Sequence, residues 1–186
     1  MMKNTYLTSH FPLISIVLFS LAFSIYMERV LINYLQTIGL YSGMIEFFSE
    51  SGIHLALLFV LWLFFFMLFA ALKLIANTIN ELSLLFFSKD EEGTDLRNVR
   101  RGTWFFLIGG VFSIVASVDI IFLLSVFILS CFSYFIFFIY KVSDSLSFSA
   151  LIGLILFHLF FWFAFGIAVA YTIVKLYNSL IASLPL

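Results

Sequence analysis

The sequence predicts an all-α fold, a polytopic integral membrane helical bundle of five spans forming a single membrane domain over residues 1–186. Three observations predict it. Ile53–Leu72 runs for twenty residues without a charge, the length that crosses a hydrocarbon core of about 30 Å. Comparable apolar runs occur at Phe11–Met27, Trp104–Tyr140 and Phe148–Val174. Mean hydropathy is +1.20, and charged residues are 10% of the chain against roughly 25% in a soluble domain. The apolar residues therefore cover lipid-facing surface and do not fill one large core.

The first span, about 11–27, meets Glu28-Arg29. Beyond it Arg29, Asn33, Gln36 and Thr37 fall at helical spacing, a one-sided polar stripe that extends the helix through the interface. Gly39 and Ser42-Gly43 end it, and Met44–Gly52 is expected to be a semi-apolar loop. Lys3, the run from Phe11 and the Ser20-x-Ala22 spacing loosely resemble a cleavable signal peptide. The run continues past Ala22 to Met27, so the segment is expected to stay as a span.

The second span, about 53–72, reaches Lys73, whose long stem is expected to carry its ammonium to the headgroups. Lys73, Asn77, Asn80 and Glu81 make a second striped extension. The loop 88–103 then holds eight of the chain's 19 charged residues. With Lys73, this side carries five basic residues against Arg29 alone on the first loop. The positive-inside rule places the 88–103 loop and the N-terminus in the cytoplasm.

Trp104–Tyr140 is too long for one span, since 37 residues extend about 55 Å. Read as two spans, about 103–118 and 120–140, it sets its only charge, Asp119, at the turn. There the carboxylate reaches water instead of costing roughly 2.5–3.5 kcal/mol at mid-bilayer. The last span is about 148–174, which puts the C-terminus outside. The alternative is four long helices with an internal duplication: Lys73-Leu74 followed by Asn77 is like Lys175-Leu176 followed by Asn178, and Phe11–Ser24 is like Phe105–Ser117.

No HExxH, CxxC, phosphate-binding glycine loop or Gly-x-Ser-x-Gly elbow occurs. No catalytic, cofactor-binding or metal-binding residue is therefore assigned, and no enzyme activity is expected. Net charge of −1 argues against nucleic acid. The lone Cys131 allows no intrachain disulfide and is expected to be a buried small residue. Glu46 and Glu50, one helical turn apart, are too few oxygen ligands for a persuasive divalent site.

The remaining candidates are polar or small residues in apolar surroundings. His158, in the last span, is an intramembrane ionisable group, with Asp119 as its partner only if Trp104–Tyr140 is one helix. Glu28 continues the Ser20–Ser24 line by a turn and reads as a solvated boundary residue. Gly109, Ser113 and Ser117, and Gly166 with Ala170, are small residues at four-residue spacing. They suit close helix packing within the monomer, with dimerisation as the alternative. Arg97, Arg100 and Arg101 share a face if the residues before the third span are helical. They are candidates for an anionic lipid or an acidic partner, with topogenic charge as the plainer explanation.

Asn4–Thr8 (NTYLT), Tyr41–Gly52 (YSGMIEFFSESG) and Leu82–Gly93 (LSLLFFSKDEEG) resemble the YufK-like family of small Bacillus polytopic membrane proteins, along the length of the chain. The resemblance implies a bacterial cell membrane and brings no catalytic or binding residue with it. The function expected from the residues is association without catalysis: an accessory or regulatory subunit, or a lipid-contacting scaffold. Its partners are the lipid bilayer and a membrane protein or a second copy of the chain. A small transporter or proton-coupled carrier using His158 is the alternative, and the surroundings of His158 distinguish them.

Overall fold

The computed structural model describes residues 10–90 and 93–183. The Asn4–Thr8 motif, and Glu91 and Glu92 of the charged loop, lie outside the described residues. All regular structure among the described residues is helical, and five helices are long and apolar enough to cross a membrane.

Helix α1 (Phe11–Thr37) starts with Pro12 in its first turn, where a missing N–H costs nothing. It stops where Gly39 takes a φ of +77°, open to glycine without strain. The semi-apolar stretch beyond is not the expected loop but a short helix, α2 (Leu40–Phe47). It forms because Tyr41 has an apolar contact to make, against Ile32 and Ile53. Helix α3 (Glu50–Phe87) is opened by Ser49, whose hydroxyl accepts from the Gly52 N–H at 3.2 Å. Its 38 residues extend about 57 Å, so the striped extension beyond Lys73 is continuous helix.

Gly93, at φ +70°, turns the chain into α4 (Thr94–Val99), followed by a 3-10 turn, Arg100–Gly102. The charge-dense loop is therefore partly helical. Helix α5 (Thr103–Ala116) has 14 residues, about 21 Å, and the α4 segment before it makes up the length of the third span. Helix α6 (Ile120–Val142) begins at Asp119, which is extended (φ −134°, ψ 138°) and accepts from the N–H groups of Ile121 at 2.8 Å and Phe122 at 3.0 Å. One carboxylate thus satisfies two of the helix's orphan donors, and the four-helix alternative falls with this break. A 3-10 turn, Ser143–Ser145, leads to α7 (Phe148–Ser183), nine residues longer than the expected span.

Helix α1 is central, packed on α3 and α5; α5 packs on α6, and α7 leans on α3. Small residues permit the close approach: a Cβ on Gly109 would collide with Ser130 of α6, and one on Gly110 would press on Leu18 and the Ser15 carbonyl of α1. Ser20, Ser24 and Ser113 are fully buried. Each returns its hydroxyl to a carbonyl of its own helix, at 2.9, 2.8 and 2.7 Å, so the contact faces carry no unsatisfied donor. Phe19, Phe23, Phe65, Phe69 and Phe127 interlock as an aromatic layer across α1, α3 and α6.

Polar contacts tie each end of the bundle. At the loop end the buried Asp95 carboxylate accepts from Ser88 at 2.8 Å and from Ser145 at 2.5 Å. At the opposite end Arg29 Nη2 donates to the Ser117 carbonyl at 2.7 Å. Loop 88–102 therefore shares an end with the α6–α7 turn, and the end of α1 shares one with the α5–α6 turn.

Candidate functional site

His158 lies ten residues into α7, roughly 15 Å along it and within its first half. It is 2% exposed and walled by the rings of Phe135, Phe138 and Phe157, with centroids 5.4, 5.2 and 5.9 Å away. Neighbouring Leu154 joins Leu84, Val99, Phe138 and Val142 in the apolar cluster that seals this end. Packed side chains enclose the imidazole.

Its polar partner comes from α3. Nδ1 lies 3.0 Å from the Leu154 carbonyl, and Nε2 lies 3.2 Å from Asn80 Oδ1. Asn80 Nδ2 donates to the Tyr134 hydroxyl of α6 at 3.3 Å. A carbonyl only accepts, so Nδ1 carries a proton. A neutral ring then offers Nε2 as an acceptor. With the Asn80 amide turned over, its NH2 donates to Nε2 and its oxygen accepts from Tyr134; with the amide as placed, both ring nitrogens donate, as in an imidazolium. The Tyr134–Asn80–His158 chain thus has two complete hydrogen-bonding states, related by one proton and one amide rotation.

Lys73 stands beside this chain. Its ammonium lies 5.4 Å from the Tyr134 ring centroid and 5.8 Å from that of Phe106, a cation–π pocket between helices in place of the expected reach to the headgroups. Asn80 was on the polar stripe read from the sequence, but as a residue facing the interface; the structure buries it (8% exposed). Seven-residue spacing from Lys73 was the available signal, since it puts both on one face.

Asp119 sits at the other end of the bundle as the α6 cap, so it has no contact with His158. Glu28 is not merely a solvated boundary residue. Its Oε1 pairs with His54 Nδ1, a histidine that sequence reading passed over because 26 residues separate the two. Tyr41 completes this group, with its hydroxyl 3.4 Å from His54 Nε2 and 3.5 Å from Glu50 Oε1. Burial, and then the Glu50 and Glu28 charges, push the Tyr41 phenol above its ordinary value. Among the described residues no three His, Cys, Asp or Glu side chains converge as a metal site.

Gly109 and Ser113 lie in the α1–α5–α6 contact, and Ser117 offers its carbonyl to Arg29. Gly166 and Ala170 do not pack within the monomer: nothing lies within 4 Å of where a Gly166 Cβ would be, and both residues are exposed. The reason is that α7 leaves the bundle after its first turns. Arg97, Arg100 and Arg101 are exposed and, among the described residues, form no ion pair. Asp95, the acidic residue nearest in sequence, is occupied by serines. Cys131 is half-buried.

No solved structure matches the chain. Over 184 residues, 99% of the chain and all of the relative, it is 47% identical to the protein described as "Uncharacterized membrane protein YufK" of Bacillus subtilis (strain 168). Residues 28–185 match the family described as a family of unknown function, DUF5366, and this multi-pass membrane protein belongs to that family.

Proposed function

We propose that the protein is a non-enzymatic component of the plasma membrane that acts by association, as an accessory or regulatory subunit or a lipid-contacting scaffold. One observation carries this reading: α7 is attached to the bundle only by its first half. Leu154 and His158 are buried, whereas every described side chain from Gly166 to Ala182 is exposed. A helix of 36 residues, about 54 Å long, thereby presents an unpartnered segment in which Gly166, Ala168 and Ala170 permit close approach of another helix. The basic residues of the second loop support a cytoplasmic N-terminus and 88–103 loop, with the C-terminus outside.

Copurification from native membranes in mild detergent tests the reading, comparing wild type with Gly166→Leu/Ala170→Leu. Loss of a membrane-protein partner or of self-association from the variant is expected. Identical copurification profiles would overturn the role given to α7. The carrier reading draws on the Tyr134–Asn80–His158 chain. It requires proton- or solute-linked flux in proteoliposomes that disappears with His158→Phe at unchanged stability. The packed rings around His158 favour association.

A further inference from the structure

Helices α5 and α6 enclose a shallow groove of ≈ 240 Å³ on the outer surface of the bundle, walled by Phe105, Ile108 and Phe112 on one side and Val126, Leu129 and Ser133 on the other. Its floor is formed where Gly109 meets Ser130. The Ser130 hydroxyl is turned away onto the Val126 carbonyl at 2.8 Å, so the floor offers an occupant no free donor. The groove runs along the two helices of the third and fourth apolar spans, where an apolar chain fits it.

On α6 helical spacing leads the groove to charge at the loop end, and on the other wall the 3-10 turn before α5 carries Arg101. Arg101 precedes Phe105 by four residues; Phe137 follows Ser133 by four, and Lys141 follows Phe137 by four. The Phe105 and Phe137 rings meet at 5.6 Å, closing the two walls together. Lys141 Nζ lies 5.7 Å from the Phe137 ring and 5.2 Å from the Tyr140 ring. Among the described residues neither Arg101 nor Lys141 has an ion-pair partner. The arrangement is an apolar groove, an aromatic pair at its loop end, and two cations without ion-pair partners in the chain just beyond it.

We infer that this groove binds an anionic phospholipid, with an acyl chain between α5 and α6 and the headgroup phosphate between Arg101 and Lys141. Charge complementarity selects this occupant. An apolar helix from a second protein could cover the groove but would leave both cations unmatched, and a neutral lipid would not distinguish this end of the bundle from any other. Arginine suits the role, because its planar fork presents two parallel donors to phosphate oxygens. With the orientation proposed above, the bound lipid lies in the cytoplasmic leaflet. The inference rests on α5 and α6 and is independent of the role given to α7.

The test uses the full chain in phosphatidylcholine nanodiscs carrying graded phosphatidylglycerol, with native mass spectrometry counting retained lipid and a thermal melt reporting protection. Wild type should retain phosphatidylglycerol selectively. Arg101→Gln and Lys141→Gln should each weaken it about five- to tenfold. Ile108→Trp or Ser133→Trp, which fill the groove and keep both cations, should also lose it. Each variant is first required to match wild type in helicity and melting in phosphatidylcholine alone; the two charge variants and the two fillers substitute for one another if one fails. Equal retention by wild type and the charge variants would overturn the inference. So would retention by the groove fillers, which would mean diffuse surface attraction, or protection by inorganic phosphate or glycerol phosphate equal to that by the lipid. A dimer insensitive to phosphatidylglycerol would give the groove to a second copy and would likewise overturn it.

Discussion

The Ser145 hydroxyl donates to the Asp95 carboxylate at 2.5 Å, joining the first turn of α4 to the turn between α6 and α7 across fifty residues of chain. The same carboxylate accepts from Ser88 at 2.8 Å, and the Asp95 backbone N–H donates to Asp90 Oδ2 at 2.6 Å. Together with Arg29 and Ser117 at the far end, the contact requires an even number of crossings between residues 95 and 145. Two spans, α5 and α6, supply it.

Membrane sidedness follows from that contact. In a Cys131→Ser background, single cysteines at Thr94 and Asp144 should label from one side of the membrane. Cysteines at Ser42 and Val118 should label from the other. With the proposed orientation the first pair is protected from an impermeant maleimide in intact cells. Labelling of Thr94 and Asp144 from opposite sides would contradict the fold itself; labelling of both from outside would reverse only the orientation.

Asp95→Ala should destabilise the bundle by about 1–3 kcal/mol, because it removes a buried acceptor used by two hydroxyls. Ser145→Ala should cost less, since Asp95 keeps Ser88. Thermal unfolding in detergent reads both, and equal melting of Asp95→Ala and wild type would show that the contact does not tie the ends.

Asn80→Leu and His158→Phe should each be costly, by about 0.6–1.7 kcal/mol in the range of polar contacts between membrane helices. Their effects should not add. Once His158 is gone, Asn80 has lost one of its two partners, so the double variant should be less destabilised than the sum by roughly 0.5 kcal/mol or more. Strict additivity in a denaturant series would mean that the Asn80–His158 bond is not formed.

Gly109→Ala and Gly166→Ala separate a packed glycine from an open one. A Cβ at Gly109 strikes Ser130 and Phe19, and overpacking of this kind costs about 1–3 kcal/mol. At Gly166 the added methyl meets open space, so monomer stability should be unchanged. Any loss at Gly166 would reveal a contact with another chain.

Tyr41 gives the bundle an alkaline limit at its α2 end. Burial first, and then Glu50 and Glu28, raise the phenol above 10.0. The folded state therefore holds this proton more tightly than the unfolded one. Its contribution is complete below about pH 10 and is lost as pH rises through the raised value. Tyrosinate absorbance of wild type minus Tyr41→Phe should show one phenol ionising above pH 10. Ionisation at or below that value would place Tyr41 in free solvent.

The five-helix fold could be read from the sequence because its constraints are local. Twenty uncharged residues at Ile53–Leu72 have one inexpensive environment. A single carboxylate at Asp119 in an apolar run of 37 residues is expected at a turn that reaches the surface; there it is exposed and caps α6 as well. The polar stripe at Lys73, Asn77, Asn80 and Glu81 was equally visible, but its meaning was not. Periodicity fixes which residues share a face and leaves open whether that face meets water or another helix. Asn77 and Glu81 are exposed, whereas Asn80 is buried against His158.

By itself the sequence determined a helical membrane protein, its apolar spans and the turn at Asp119, since burial cost and helix rise act along a few tens of neighbouring residues. Only the tertiary structure decided the partners: His158 with Asn80, 78 residues away; Glu28 with His54; Asp95 with Ser145; Gly109 against Ser130, and Gly166 against nothing. Those pairings depend on how long helices pass one another. Where every span is similarly apolar, the sequence marks no preferred neighbour, and shape and a few polar atoms make the choice.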